Sequence, residues 1–137
     1  MEDRKLVVVG VDGSEDGLRA VKYGASFAAE TNGEVLLVHA VDDAMLAGAW
    51  GVVYDPEVLQ NAGANANEAA AAKAREIGLP GDRIRTEVVL GSPGGVLGRL
   101  SEVADLIVVG RRSVSGLERM FVGSTSVSVV ASSRCPV

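Results

Sequence analysis

The segment that most constrains the fold is Lys5–Val11, with the sequence K-L-V-V-V-G-V. Its β-branched and apolar residues do not alternate with polar ones, so both faces of the segment must be buried. Strands that are buried on both faces belong to parallel sheets covered by helices above and below. We therefore predict that Lys5–Val11 is a central parallel strand and that the rest of the chain supplies its neighbours and its covering helices.

Further strands and helices alternate along the chain. The apolar, strand-like segments after the first are Glu34–Val41, Ile84–Leu90, Asp105–Val109 and a short start of a fifth strand at Arg134–Val137. The segments with helical spacing begin after Ser14, Asp55, Ser92 and Gly123. Three of these starts pair a capping side chain with acidic residues or proline in the first turn, which is typical of helix N-termini.

The helical spacing also predicts which side chains face the core. The residues predicted to point inward are Leu18, Val21, Ala25, Ala28 and Ala29 in the first helix, and Val96, Leu97, Leu100 and Val103 in the third. The third strand alternates in part, which favours an edge position. Alternating strands and helices indicate one α/β domain with a parallel sheet and right-handed crossovers.

Ligands of such sheets bind beyond the carboxyl ends of the strands, where the strand order reverses. If the first and fourth strands are neighbours, Asp12 and the loop that begins at Gly110 face one cleft. That loop returns to a helix at Gly123-Ser124-Thr125-Ser126. Backbone N–H groups and a helix N-terminus at such a point can hold phosphate without a lysine.

Each candidate residue also has an ordinary structural explanation. Asp12 fits a ribose-binding carboxylate and a turn or helix cap about equally well. Gly110 fits a simple strand-end turn, and Gly123 and Ser124 fit an ordinary helix start. Arg111 and Arg112 fit a solvated loop about as well as a phosphate site.

Composition excludes several classes of function. The net charge of −5 and the pI of about 4.8 argue against nucleic acid or an anionic membrane as the main partner. Apolar runs are too short to span a bilayer, and the first strand begins too early for a signal peptide, which predicts a cytoplasmic protein.

The single cysteine, Cys135, excludes an intrachain disulfide, and no zinc-ligand cluster is present. His39 lies inside a strand and is predicted to be a buried or half-buried structural residue, so no nucleophile–base pair supports hydrolase chemistry.

Four motifs together resemble the universal stress protein family over essentially the whole chain. They are V-V-V-G-V-D-G-S, V-L-L-V-H-A-V-D, V-V-L-G-S-P and D-L-I-V-V-G followed by F-V-G-S-T-S, with a C-terminal C-P-V. The resemblance implies a Rossmann-like three-layer α/β fold with five parallel strands in the order 3-2-1-4-5, the fifth truncated here. It also implies a homodimer, which commonly pairs through the fifth strand.

The resemblance further implies a nucleotide site. One branch of the family binds ATP through the pattern G-x-x-G-x(9)-G-[ST], which falls here on Gly110, Ser113, Gly123 and Ser124. Ser113 departs from this pattern, because the family has glycine there. By the same resemblance the ATP-binding residues are Val11, Asp12, Gly13, Ala40, Gly110, Arg111, Arg112, Ser113, Gly123, Ser124 and Thr125. Within that set, Asp12 binds ribose and the Ala40 backbone reads adenine, and a divalent metal such as Mg²⁺ or Mn²⁺ is held largely by phosphate oxygens.

These observations predict an ATP-binding stress-response switch or sensor with no catalytic residue. The alternative is a family member that binds no nucleotide and acts as a dimeric interaction module, with a cleft altered at Ser113. A slow ATPase is a third possibility, which the lack of a positioned base or lysine disfavours.

Overall fold

A computed structural model describes residues 4–41, 55–110 and 133–137. The predicted fourth helix and the segment 42–54 lie outside the described residues. The structural statements below concern the described ranges.

The described strands form one parallel sheet. They are β1 (Leu6–Gly10), β2 (Glu34–Val41), β3 (Ile84–Leu90) and β4 (Leu106–Val108). Their order is β3-β2-β1-β4, with β1 paired to β2 on one side and to β4 on the other. The predicted strand order is confirmed for these four strands, and β3 lies at the predicted edge. The predicted bounds of the first and fourth strands were too long by one residue at each end.

Helices cover both faces of the sheet. They are α1 (Glu15–Glu30), α2 (Pro56–Ile77) and α3 (Pro93–Leu100), with a 3₁₀ turn at Gly81–Arg83. The three predicted N-caps are confirmed, since the side chains of Ser14, Asp55 and Ser92 each accept a hydrogen bond from a backbone N–H of the first turn. Among the described residues, no helix combines the length and the apolar character that crossing a membrane requires.

The core has one layer on each side of the sheet, because alternate residues of a strand point to opposite faces. Val7, Val9 and Leu37 are fully buried against α1 and α2. On the other face Val8, Ile107 and their neighbours pack against α3. The prediction that β1 is buried on both faces is therefore confirmed, since its residues contribute to both core layers.

Two predicted core residues are wrong. Ala29 is exposed on α1, and Val103 is 67% exposed because α3 ends at Leu100 and turn residues follow. The buried face of α1 instead includes glycines. At Gly24, an added Cβ would lie 2.7 Å from Val9 Cγ2, so the missing side chain allows α1 to approach β1 closely.

Residues 133–137 lie beside β4. Ile107 N donates to the Pro136 carbonyl oxygen at 3.0 Å, and Cys135 packs in part against the α3-side core. The segment has no strand geometry, although it lies where the resemblance placed a fifth strand. The prediction that Cys135 has a packing role is consistent with these contacts.

Candidate functional site

A cleft opens at the carboxyl ends of β1, β2 and β4, beside α3. Its lining includes Val11, Asp12, Ala40, Gly110 and apolar residues of α3. β1 and β4 are neighbours, as the predicted site required. The structure therefore brings together residues from three strand ends that the sequence analysis had assigned to one nucleotide site.

Asp12 begins the turn between β1 and α1. Its Oδ1 accepts hydrogen bonds from Ser14 N at 2.9 Å and from Ser14 Oγ at 2.6 Å. Ser14 Oγ in turn accepts from Gly17 N at 3.0 Å and caps α1. The turn-and-cap interpretation of Asp12 is thus confirmed. The same half-buried carboxylate lines the cleft, so a structural role leaves room for a ligand at its other oxygen.

Two glycines allow this turn to be so tight. Gly13 has φ +84°, in the left-handed region that favours glycine. At Gly17, an added Cβ would lie 2.5 Å from Asp12 Oδ1. The sequence analysis did not single out Gly17. The signal that could have found it is a glycine in the first turn of a helix, because glycine is less favourable than alanine there.

Gly110 packs against the first turn of α1. An added Cβ there would lie 3.0 Å from the carbonyl carbon and oxygen of Asp16. The need for glycine at this position follows from helix–strand packing, in addition to any approach of a phosphate. The start of α1 consequently contacts the carboxyl ends of both β1 and β4.

His39 joins the end of β1 to β2. Its Nδ1 lies 2.8 Å from the Val11 carbonyl oxygen, and the ring is half-buried. The prediction of a structural histidine is confirmed in this respect. Val11 N also donates to the Val38 carbonyl oxygen at 2.8 Å, so Val11 is held to β2 through both its N–H and its C=O, although β1 has ended one residue earlier.

The described lining of the cleft is mostly apolar. It contains one carboxylate, Asp12, and neither lysine nor arginine. The described residues also contain no group of three or more His, Cys, Asp and Glu side chains that could hold a metal ion. The cleft therefore offers an apolar slot with one acidic side chain at its edge, and the N-terminus of α1 nearby.

The other predicted site residues lie outside the described residues. They are Arg111, Arg112, Ser113, Gly123, Ser124 and Thr125. Their part in a phosphate site stays a prediction.

The fold and the cleft define a Rossmann-like three-layer α/β protein with an opening at its topological switch point, where β1 and β4 end. The model of the universal stress protein family matches residues 4–137. The chain therefore belongs to the universal stress protein family.

Individual relatives agree with this assignment. The chain is 32% identical over 140 residues to universal stress protein MJ0531 of Methanocaldococcus jannaschii, covering 97% of this chain and 79% of the relative. It is also 32% identical to universal stress protein YxiE of Bacillus subtilis, covering 96% of this chain and 95% of the relative. A crystal structure of a universal stress protein in complex with cAMP matches with a TM-score of 0.69 and 27% identity, covering 99% of this chain and 95% of that one.

Proposed function

We propose that this protein binds ATP, or a related adenine nucleotide, in the cleft at the ends of β1, β2 and β4. The observation that carries the proposal is that Asp12, Ala40 and Gly110, predicted to meet ribose, adenine and phosphate, line that one cleft. A similar universal stress protein has been crystallised with cAMP, which is also an adenine nucleotide.

The described lining suits a nucleoside. Apolar side chains such as Val38, Val96 and Leu97 provide a slot for a flat base. Asp12 uses Oδ1 for the α1 turn, and its Oδ2 is the acceptor that we assign to a ribose hydroxyl. A single carboxylate cannot hold a divalent ion alone, so Mg²⁺ or Mn²⁺ would be carried mainly by the phosphate oxygens of the nucleotide.

We further propose that the bound nucleotide acts as a switch in a cytoplasmic stress response. The single histidine, His39, has its Nδ1 engaged with the Val11 carbonyl oxygen, so it is not poised as a general base at that atom. A cycle of nucleotide binding and release needs no general base.

Calorimetry with MgATP on nucleotide-stripped protein tests the proposal. The decisive variant is Asp12→Asn, because the amide oxygen can still accept from Ser14 while the second acceptor is lost. We expect the Kd to rise about tenfold or more. Asp55→Asn is the matched control, since it makes the same change at the N-cap of α2, outside the cleft lining. A wild-type protein that gives no heat at concentrations of roughly tens of micromolar contradicts the proposal.

The second candidate function is a nucleotide-free interaction module, and the observation that favours it is Ser113 in place of the motif glycine. The Ser113→Gly variant separates the two candidates. Binding by the variant together with an inert wild type would support the interaction module. Equal binding by both proteins would support the ATP-binding switch.

We also propose a homodimer, which both candidate functions share. Sedimentation equilibrium of the purified protein measures the mass directly. A monomer mass over the whole concentration range would contradict the dimer without bearing on the nucleotide site.

A further inference from the structure

The bond between His39 and Val11 is unusual because a side chain occupies the place of a sheet hydrogen bond. A carbonyl oxygen only accepts, so the Nδ1 that lies 2.8 Å from the Val11 oxygen must carry the proton and donate. The hydrogen bond joins residues 28 positions apart in the chain. It therefore fixes the ring to the strand end that precedes Asp12.

The parallel pairing of β1 and β2 stops one step early. In such a pair, the N–H and C=O of one residue face the same neighbouring strand. Val38 faces β1, because its carbonyl oxygen accepts from Val11 N at 2.8 Å. Ala40 lies two residues further along β2, so its N–H and C=O also point toward β1. One more ladder step would join Ala40 N–H to the Val11 oxygen, but the register ends at the pair of Gly10 and Val38.

We propose that His39 is a positioning residue that substitutes for this ladder donor and so keeps the Ala40 backbone turned toward the ligand. The imidazole satisfies the Val11 carbonyl, and the strands separate beyond that point. The N–H and C=O of Ala40 then face the cleft, where one donor and one acceptor suit the Watson–Crick edge of adenine. The inference rests on the proposed nucleotide function and deepens it, because it assigns a source of base selectivity.

Helix α2 is shaped to receive the ring. At Gly63, an added Cβ would lie 2.6 Å from His39 Cδ2 and 3.1 Å from Cγ. Glycine in a helix interior costs about 1 kcal/mol relative to alanine, and here it leaves room for the imidazole. The ring is held from one side by α2 and from its Nδ1 by Val11.

Base selectivity is the readout that separates positioning from general stability. ATP and inosine triphosphate share ribose and phosphates, but inosine presents an oxygen and an N–H where adenine presents an amino group and a nitrogen. His39→Leu removes the donor at similar size, whereas His39→Asn keeps an N–H near the position of Nδ1. We expect the preference for ATP over inosine triphosphate to fall about tenfold in His39→Leu and to be largely retained in His39→Asn. An equal loss of both nucleotides in His39→Leu overturns the inference.

Gly63→Ala provides a test that keeps the histidine in the chain. The added Cβ displaces the ring, so the same loss of base preference is expected, and an unchanged preference counts against the inference. Leu37→Val, a core change two residues away in β2, is the control for lowered stability and should leave the preference unchanged.

Amide hydrogen exchange tests the geometry without any nucleotide. In the ligand-free wild type, the Ala40 amide should exchange faster than the Val38 amide, which lies within the ladder. In His39→Leu, exchange of the Ala40 amide should slow at least about tenfold, because the Val11 carbonyl oxygen then accepts a hydrogen bond from that amide. Equal protection of Ala40 and Val38 in the wild type overturns the inference. A wild type that binds neither nucleotide contradicts the proposed function. In that case the exchange rates alone still test whether His39 replaces the ladder donor.

Discussion

Asp12 is a residue for which a structural and a ligand-binding role were equally supported by sequence. The structure shows the structural role at one atom, since Oδ1 accepts both hydrogen bonds from Ser14. The proposed ligand role is assigned to the other oxygen, Oδ2. Because the carboxylate is already fixed by the start of α1, a ligand bound at Oδ2 would lose less entropy on binding.

Gly17→Ala tests how tightly that carboxylate is packed. Alanine normally stabilises a helix by about 1 kcal/mol relative to glycine. Here its Cβ would lie 2.5 Å from Asp12 Oδ1, so the carboxylate must move and the turn must give up hydrogen bonds. We expect unfolding free energy to fall by about 1–3 kcal/mol, as for an overpacked core, in urea denaturation followed by circular dichroism.

Gly81→Ala is the control for that experiment, because nothing lies within 4 Å of its added Cβ. It should change the unfolding free energy by less than about 0.5 kcal/mol. If Gly17→Ala proved as stable as the wild type, the contact between the α1 turn and Asp12 would be looser than described.

At the scale of elements, α1 is the part of the structure that links fold to cleft. Its first turn is held to Asp12 through Ser14 and lies against Gly110 through Asp16. Its buried face is made of small residues, which lets the helix approach β1. A change at this helix start is therefore expected to alter the cleft, whereas a similar change at another helix start is not.

Ser14→Ala tests that link. The variant loses the cap and one hydrogen bond to Asp12, and caps contribute about 0.5–2 kcal/mol. We expect lower stability together with weaker MgATP binding by calorimetry. Asp55→Ala removes the cap of α2 and should lower stability by a similar amount with binding preserved. Parallel losses of affinity in both variants would show that general destabilisation is sufficient to explain the effect.

The end of α3 gives a second prediction at this scale. Val103 is 67% exposed and Leu97 is 3% exposed, although helical spacing placed both in the core. Val103→Ser should change the unfolding free energy by less than about 0.5 kcal/mol. Leu97→Ala should cost about 2–5 kcal/mol. A large loss from Val103→Ser in thermal denaturation would mean that this side chain is covered in solution.

For the whole molecule, the residue pattern and the family resemblance predicted different things. Runs such as Val7–Val9 are apolar on both faces, which predicted a central parallel strand covered by helices. The pattern left open whether β1 and β4 are neighbours, and the strand order came from the resemblance to the family. Helix faces were harder to predict, because Ala28 and Ala29 are the same residue type and only Ala28 is buried. The contacts of His39 with Val11 and Gly63 were not predictable, since they join residues that meet only after the sheet and α2 have formed.

If ATP binds the folded protein and not the unfolded chain, as proposed, it should raise the thermal stability. At a nucleotide concentration of about 100 times the Kd, the folded state gains about 2.7 kcal/mol. We expect a Tm increase of several degrees with MgATP for the wild type and a smaller one for Asp12→Asn, measured by scanning calorimetry. Equal shifts in both proteins would place the nucleotide away from Asp12.

The pairing of β1 with β4 has a consequence for folding during synthesis. Leu6 N donates to Asp105 Oδ2 at 2.7 Å, and Asp105 N donates to the Leu6 carbonyl oxygen at 2.8 Å, across 99 residues of chain. A ribosome releases β1, β2 and β3 first, and these can assemble with α1 and α2 while the β4 wall of the cleft is still missing. Under the proposed function, a nucleotide therefore meets all three strand ends of the cleft only once translation has passed β4, after the early assembly of the nascent chain.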